Sequence, residues 1–340
     1  MQIPVYFGNE YGSIVGIDSH LTDLLGTELE EVSRIFETQL ASEFPPVNTL
    51  SVHVARYRGK MLRPILVLLS GLAVGRNGES SILSDEHRTV AVVAEMIHMA
   101  TLVHDDVLDE SPVRRNGATV NSLHGNEMAV MLGDYLISNA FHLCSTLGKP
   151  EVNLRLGKIT NTLCEGEIVQ LHHREDLELT EELYFTIVTR KTASLIGACC
   201  ELGGLMSQAD RATQIALRKF GVDVGIAFQI TDDLLDLTAD QGDVGKTTGR
   251  DLDMGKLTLP LIRALQHGDE SSRRTITALV HDRCHAQLRE RLQDEGWFDS
   301  AEMTAIDLIA SARRHLDVLP ENQATTTLHL LADAVVARKF

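Results

Sequence analysis

The stretch that decides the fold is residues 86–110, EHRTVAVVAEMIHMATLVHDDVLDE. From Val90 to Val103 it is almost wholly apolar or small, too long for a strand and unbroken by Gly or Pro, so it reads as a buried helix. Pro112 stops it. At its end stand His104-Asp105-Asp106-Val107-Leu108-Asp109. At about 100° per residue Asp105 and Asp109 share a face. Like charges at that spacing weaken a helix, and burying them costs far more unless a cation stands between them. Carboxylates are what Mg²⁺ prefers, with waters and substrate phosphates completing its octahedron.

The pattern returns at Thr231-Asp232-Asp233-Leu234-Leu235-Asp236, again closing an apolar helical stretch, and Asp232 and Asp236 share a face. Either triplet alone is equally readable as a solvated acidic turn. Two of them, each behind a buried-looking helix, point to carboxylates that meet across a cleft. Cations bracket both sets. Arg114-Arg115 follows the first, and Gly59-Lys60-Met61-Leu62-Arg63-Pro64 places Lys60 and Arg63 on one face of a helix start. Lys191-Thr192, Gly245-Lys246 and Gly255-Lys256 add more. Singly these are ordinary surface residues. Around metal-type carboxylates they suggest a diphosphate site held by metal, ammonium and guanidinium together.

The rest of the chain is helical in pattern. Apolar spacing from Leu21 to Phe36 reads as a helix ended by Pro45-Pro46, and another runs over 62–72. Further helices are expected over 127–147, 151–172, 181–206, 210–239, 258–267, 275–294, 301–318 and 323–338, with no alternating β-type run and no fixed-period repeat. One all-α domain over residues 1–340 is the economical answer. A net charge of −17 argues against a nucleic-acid surface, which needs clustered Lys and Arg. No apolar run approaches the ~20 residues of a membrane span, and the N-terminal segment lacks a secretory pattern. The five cysteines form no CxxC pair. The expectation is reduced core thiols in a cytoplasmic protein.

The ordered set GKMLRP, HDDVLDE with its following RR, KTASL, FQITDDLLD, GKTTGRDL and GKLTLP resembles the trans-isoprenyl (polyprenyl) diphosphate synthases over about residues 55–265. A lone DDxxD is weak; six motifs in order are specific. The resemblance implies a helical bundle of the isoprenoid synthase type around a central active-site cavity. It implies that Asp105 and Asp109 bind two Mg²⁺ ions and Asp232 a third, with Asp106, Asp233 and Asp236 in support. By the same carry-over Arg114, Lys191 and Lys246 contact an allylic diphosphate, while Lys60, Arg63, His98 and Arg115 bind isopentenyl diphosphate without metal. A homodimer is also implied. One departure stands out: the family usually has Gly directly after the paired arginines, whereas Asn116 precedes Gly117 here. Asn tolerates left-handed backbone angles, so the turn is expected to survive.

The implied reaction is ionisation, condensation and elimination, with the released diphosphate as base. Gln229, one turn before Asp232, and the backbone near Lys191-Thr192 are placed to stabilise a carbocation. Ala100 and Thr101 stand where short-chain members of the family often carry an aromatic plug. Small residues there leave a tunnel open and favour a long-chain product of the octaprenyl or heptaprenyl kind, for a quinone side chain, although they equally suit close helix packing. Geranylgeranyl or farnesyl diphosphate synthesis is the nearest alternative. A class I terpene cyclase is disfavoured by DDLLD together with Lys60, Arg63 and His98. A metal phosphohydrolase reading of His104-Asp105 leaves the second aspartate set unexplained, and a non-catalytic partner subunit would be expected to have lost the aspartates.

Overall fold

The computed structural model describes residues 19–55, 57, 59–75, 82–115, 117–238 and 249–337. The apolar stretch before the first aspartate set folds as α4 (Asp85–Leu108), preceded by α1 (Ser19–Leu40), α2 (Pro45–Ala55) and α3 (Leu62–Ala73). A two-residue antiparallel ladder follows, β1 (Val113–Arg114) against β2 (Gly117–Ala118), then α5 (Val120–His124), α6 (Asn126–Thr146) and α7 (Pro150–His172). Next come α8 (Glu181–Val188), a π-helical turn (Thr189–Ala193), α9 (Ser194–Met206) and α10 (Arg211–Thr238). The remainder is α11 (Arg250–Asp253), α12 (Leu259–His267), α13 (Glu270–His281), α14 (His285–Asp294), α15 (Trp297–His315) and α16 (Gln323–Val336). Among the described residues the ladder is the only sheet.

Helix α4 is apolar nearly all round because α1, α3, α6 and α9 pack around it. Val90, Val93, Met96, Met99, Ala100 and Val103 have no exposed surface. Each fully buried large apolar side chain stabilises the fold by roughly 1.5–3 kcal/mol. Helix α10 is the counterpart, packed against α9, α15, α16 and the π turn. Thus two buried helices each carry an aspartate set at their C-terminal end. The start of α4 is fixed locally, the Nδ1 of His87 accepting the N–H of Ser84 at 3.1 Å. Burial brings the His87 pKa down to about 4, so the imidazole stays neutral and able to accept.

Three elements differ from their sequence reading. Pro45-Pro46 opens α2, at the first helical turn where a missing N–H costs nothing. The span 275–294 holds two helices, parted where Arg283 takes a left-handed φ of 53° with no Gly or Pro to announce it. The span 181–206 is broken by the π turn. That turn is seated by close backbone approach on both sides. A Cβ on Gly166 of α7 would lie 2.7 Å from the Lys191 nitrogen, and one on Gly225 of α10 would lie 2.6 Å from the Ala193 Cα. The ladder escaped notice because two residues per strand carry no alternation signal.

Candidate active site

The C-terminal ends of α4 and α10 face the same space and are bridged by cations. Asp109, at the end of α4, accepts from Lys256 Nζ and Arg174 Nη2, each at 2.7 Å. Burial works against its charge, but Lys256, then Lys191 and Arg174, hold its pKa below the usual value. Arg250 donates to the Asp109 carbonyl at 3.5 Å and to Ser111. Arg250 is itself placed by the second set, since Asp236 accepts the backbone N–H groups of Arg250 at 3.3 Å and Asp251 at 3.0 Å. Asp105 differs from its neighbour. No hydrogen bond or ion pair reaches its carboxylate from the described residues, and burial raises its pKa to about 6 against the pull of Lys191. Asp106 is turned away into the protein, 1% exposed, where its Oδ1 accepts both Nε and Nη2 of Arg114 at 2.9 and 2.8 Å.

The π turn aims two consecutive side chains at opposite helices. Lys191 reaches α7, pairing with Glu167 and donating to the Gln170 Oε1 at 2.7 Å. Burial opposes its charge, but Asp105 and Glu167 more than offset this, so its pKa is raised. Thr192 reaches α10, donating to the Gln229 Oε1 at 3.0 Å. Gln229 in turn donates to Asp233 Oδ1 at 2.8 Å, and Tyr184 donates to Asp233 Oδ2 at 2.7 Å. Burial and the nearby Asp251 push the Asp233 pKa upward. Asp232, beside it, is half-buried. Lys191, Thr192, Gln229, Asp233, Asp251 and Lys256 form the polar wall of a cleft whose apolar wall includes Tyr184, Ile187, Val188 and Leu257.

A second cationic group gathers about His98, two turns before Asp105 on α4. Arg114 and Arg115 point apart: Arg114 goes to Asp106, whereas Arg115 donates to the Tyr57 carbonyl. The tight hairpin does this, with Arg115 in left-handed conformation at φ 49° between the paired β1 and β2. Asn116 lies outside the described residues. Arg63, Arg115 and Arg114 all act electrostatically on His98, whose pKa is held well below its ordinary value, chiefly by burial and then by these three charges. Arg63 and Arg115 are depressed by burial too, with Glu95, 2% exposed, opposing the shift in both. The Arg63 Nε is buried without a hydrogen-bond partner among the described residues. Lys60 is half-buried beside Gly59, over which the Arg115 guanidinium lies so closely that a Cβ would overlap it.

Comparison with known proteins bears on this arrangement. A sequence profile of the family described as Polyprenyl synthetase matches residues 45–294. The chain belongs to that family. It is 33% identical over 322 residues to the octaprenyl diphosphate synthase of Escherichia coli (strain K12), covering 94% of this chain and 98% of that one. It is 34% identical over 297 residues to the short chain isoprenyl diphosphate synthase of Methanothermobacter thermautotrophicus, covering 85% and 89%. The fold matches a polyprenyl synthase from Caulobacter crescentus CB15 crystallised with calcium and isoprenyl diphosphate, at a TM-score of 0.86 and 30% identity, over 98% of this chain and 100% of that one.

Several neighbours of the site give little signal in the sequence. Arg174, Glu167, Gln170, Tyr184 and Glu95 lie in none of the quoted motifs, Arg250 and Asp251 lie in GKTTGRDL without a role assigned to them, and the partners of all seven lie far along the chain. A basic residue after α7 or a carboxylate inside α4 gives no local signal. Lys246 lies outside the described residues. Ala100 is fully buried in α4, and the half-buried Thr101 returns its hydroxyl to the His98 carbonyl at 2.8 Å. Among the described residues no three His, Cys, Asp or Glu side chains converge to hold a metal by themselves. Mg²⁺ suits such a donor set, since it is usually bound by one or two carboxylates plus waters and substrate phosphates. No described helix is long and apolar enough to cross a membrane.

Proposed function

We propose that the chain condenses isopentenyl diphosphate with an allylic diphosphate, head to tail and in trans geometry, to give a long-chain polyprenyl diphosphate such as a quinone side-chain precursor. The observation that carries this reading is the pairing of two different anion sites along α4. One is carboxylate-rich with Lys191 and Lys256 among the aspartates; the other gathers Arg63 and Arg115 about the neutral His98, with the buried Glu95 acting on both guanidiniums. Two diphosphates with different metal requirements need such a pair. In this reading the whole chain acts as one catalytic domain.

Asp105, Asp109 and Asp232 are the residues for three Mg²⁺ ions, which when bound neutralise the allylic diphosphate and make it a better leaving group. Asp106 supports by aiming Arg114, Asp236 by holding α11, and Asp233 by fixing Gln229. Lys191, Arg114 and Lys246 take up charge on the departing diphosphate. The Gln229 carbonyl, aligned by Thr192, faces the allylic cation with the negative end of its dipole. The double bond of isopentenyl diphosphate attacks C1 of that cation. A proton then leaves C2 of the new unit to the released diphosphate, and a new trans double bond forms. Lys60, Arg63, Arg115 and His98 hold the second diphosphate, the neutral imidazole donating one N–H. Cytoplasmic location and a homodimer belong to the same proposal. Sedimentation velocity reads the oligomeric state directly.

Incubation with Mg²⁺, isopentenyl diphosphate and farnesyl or geranylgeranyl diphosphate, followed by chromatography, tests the function. Absence of any elongated product overturns it. Two variants refine it. Ala100→Tyr should shift products towards fifteen or twenty carbons while condensation of short starters persists, because a ring at this buried position blocks the tail and leaves the phosphate contacts untouched. If Ala100 serves packing alone, overpacking at ~1–3 kcal/mol lowers melting temperature and activity together, with product length unchanged. Gly59→Ala should raise the KM for isopentenyl diphosphate severalfold, because the new methyl displaces the Arg115 guanidinium. The far end of a long side chain moves cheaply, so a melting temperature near that of wild type is expected alongside.

A further inference from the structure

Three observations outside the assigned motifs converge on one side chain. Tyr184 is buried on α8, its ring lines the cleft beside Lys191, Thr192 and Gln229, and its hydroxyl donates to Asp233 at 2.7 Å. The bond is one link of a chain running from the π turn through α10 to α8: Thr192 to Gln229, Gln229 to Asp233, Tyr184 to Asp233. We propose that Tyr184 is a positioning residue for the condensation: by occupying one oxygen of Asp233 it reserves the other for the Gln229 amide, and so keeps the Gln229 carbonyl turned towards Thr192.

This role rests on the function proposed above and on the donors and acceptors that these groups offer. A carboxamide has one accepting end and one donating end, and either fits the same space. What decides between them is the partner. Asp233 Oδ1 accepts the Gln229 N–H, which obliges the carbonyl end to face Thr192, itself a donor there. Asp233 must therefore offer an acceptor at Oδ1 at all times. The phenol holds that acceptor in place, because tying Oδ2 to its own hydroxyl keeps the carboxylate from rotating Oδ1 away from Gln229. With the amide reversed, the positive N–H end would face the place where the allylic cation develops. In a water-poor cleft that reversal acts on the transition state and hardly on the bound diphosphates.

Tyr184→Phe is nearly isosteric and should lower kcat about tenfold or more, while KM for both diphosphates and half-saturation by Mg²⁺ stay within about twofold. The reciprocal variant separates orientation from mere support. In Asp233→Asn the Tyr184 hydroxyl would capture the new amide's carbonyl oxygen and leave its NH₂ facing Gln229, forcing the reversed orientation. Adding Tyr184→Phe to Asp233→Asn frees that amide to turn, so the double variant should have a higher kcat than Asp233→Asn alone. A purely structural tyrosine predicts further loss in the double variant, with the two effects simply adding. An unchanged kcat in folded Tyr184→Phe, or additive loss in the double variant, overturns the inference. Should Tyr184→Phe fail to fold, the comparison of Asp233→Asn with the double variant decides, and a double variant no faster or unfolded counts against the inference. Wild-type enzyme run alongside keeps the two readings apart, because loss of all condensation in wild type strikes the proposed function instead.

Discussion

Asp105→Asn is expected to cut turnover by about two to three orders of magnitude at saturating Mg²⁺, with no loss of stability at neutral pH. The substitution keeps the shape of the side chain and removes the one carboxylate of the first set that no described residue hydrogen-bonds or ion-pairs. Its pKa, raised to about 6, gives the sign of the stability effect. The folded state binds this proton more tightly than the unfolded chain does. Stability therefore falls as pH rises from about 4 to about 6, and the penalty is fully present above that window. The Asn variant escapes the penalty, so without metal it should melt above wild type at pH 7.5, and the difference should vanish near pH 4. Turnover within a few-fold of wild type, or a melting temperature well below it at pH 7.5, would count against Asp105 as a metal-binding carboxylate. Asp109 does not offer as clean a test. Its removal strands Lys256 and Arg174 together, and the stability loss would mask the catalytic one.

Arg63→Ala is expected to raise the KM for isopentenyl diphosphate roughly ten- to hundredfold, which is ~1.5–3 kcal/mol for a charge-assisted contact to phosphate. The KM for the allylic substrate should change little. Arg63 is suited to an added anion: its Nε is buried without a hydrogen-bond partner among the described residues, and burial lowers its pKa although Glu95 resists. The same variant reports on His98. Burial and then Arg63 are the leading causes of its depressed pKa, so removing the guanidinium should raise it, visible as an upward shift of the imidazole titration by NMR. In the folded wild type His98 resists protonation that the unfolded chain accepts, so stability is lost as pH falls below ~6.5. Arg63→Ala should soften that loss. A larger effect on the allylic KM than on that of isopentenyl diphosphate would show that the two anion sites are assigned the wrong way round.

The sequence by itself determined the helical class, the two buried helices and the aspartate sets at their ends. The reason is local: an unbroken apolar run such as Val90–Val103 admits one periodicity, and Asp105 with Asp109 fall on one face through helix geometry alone. It determined too that basic residues such as Arg114, Lys191 and Lys256 stand in motifs near the aspartates along the chain, though not that Arg174 and Arg250 join them. Tertiary structure decided everything that depends on partners far apart in the chain. Arg114 and Arg115 are neighbours in sequence, yet a left-handed residue in a two-residue hairpin sends one to Asp106 and the other to the Tyr57 carbonyl. Lys191 and Thr192 part in the same way, since a π turn wedged between Gly166 and Gly225 gives one to α7 and the other to α10. The three aspartates of one triplet likewise received three fates: Asp105 without a hydrogen bond or ion pair from the described residues, Asp106 fixed on Arg114, Asp109 clasped by Lys256 and Arg174. Periodicity sets the face on which a charge emerges, but hydrogen bonds and ion pairs act only over a few ångströms, so the identity of what meets that charge is a property of the folded chain.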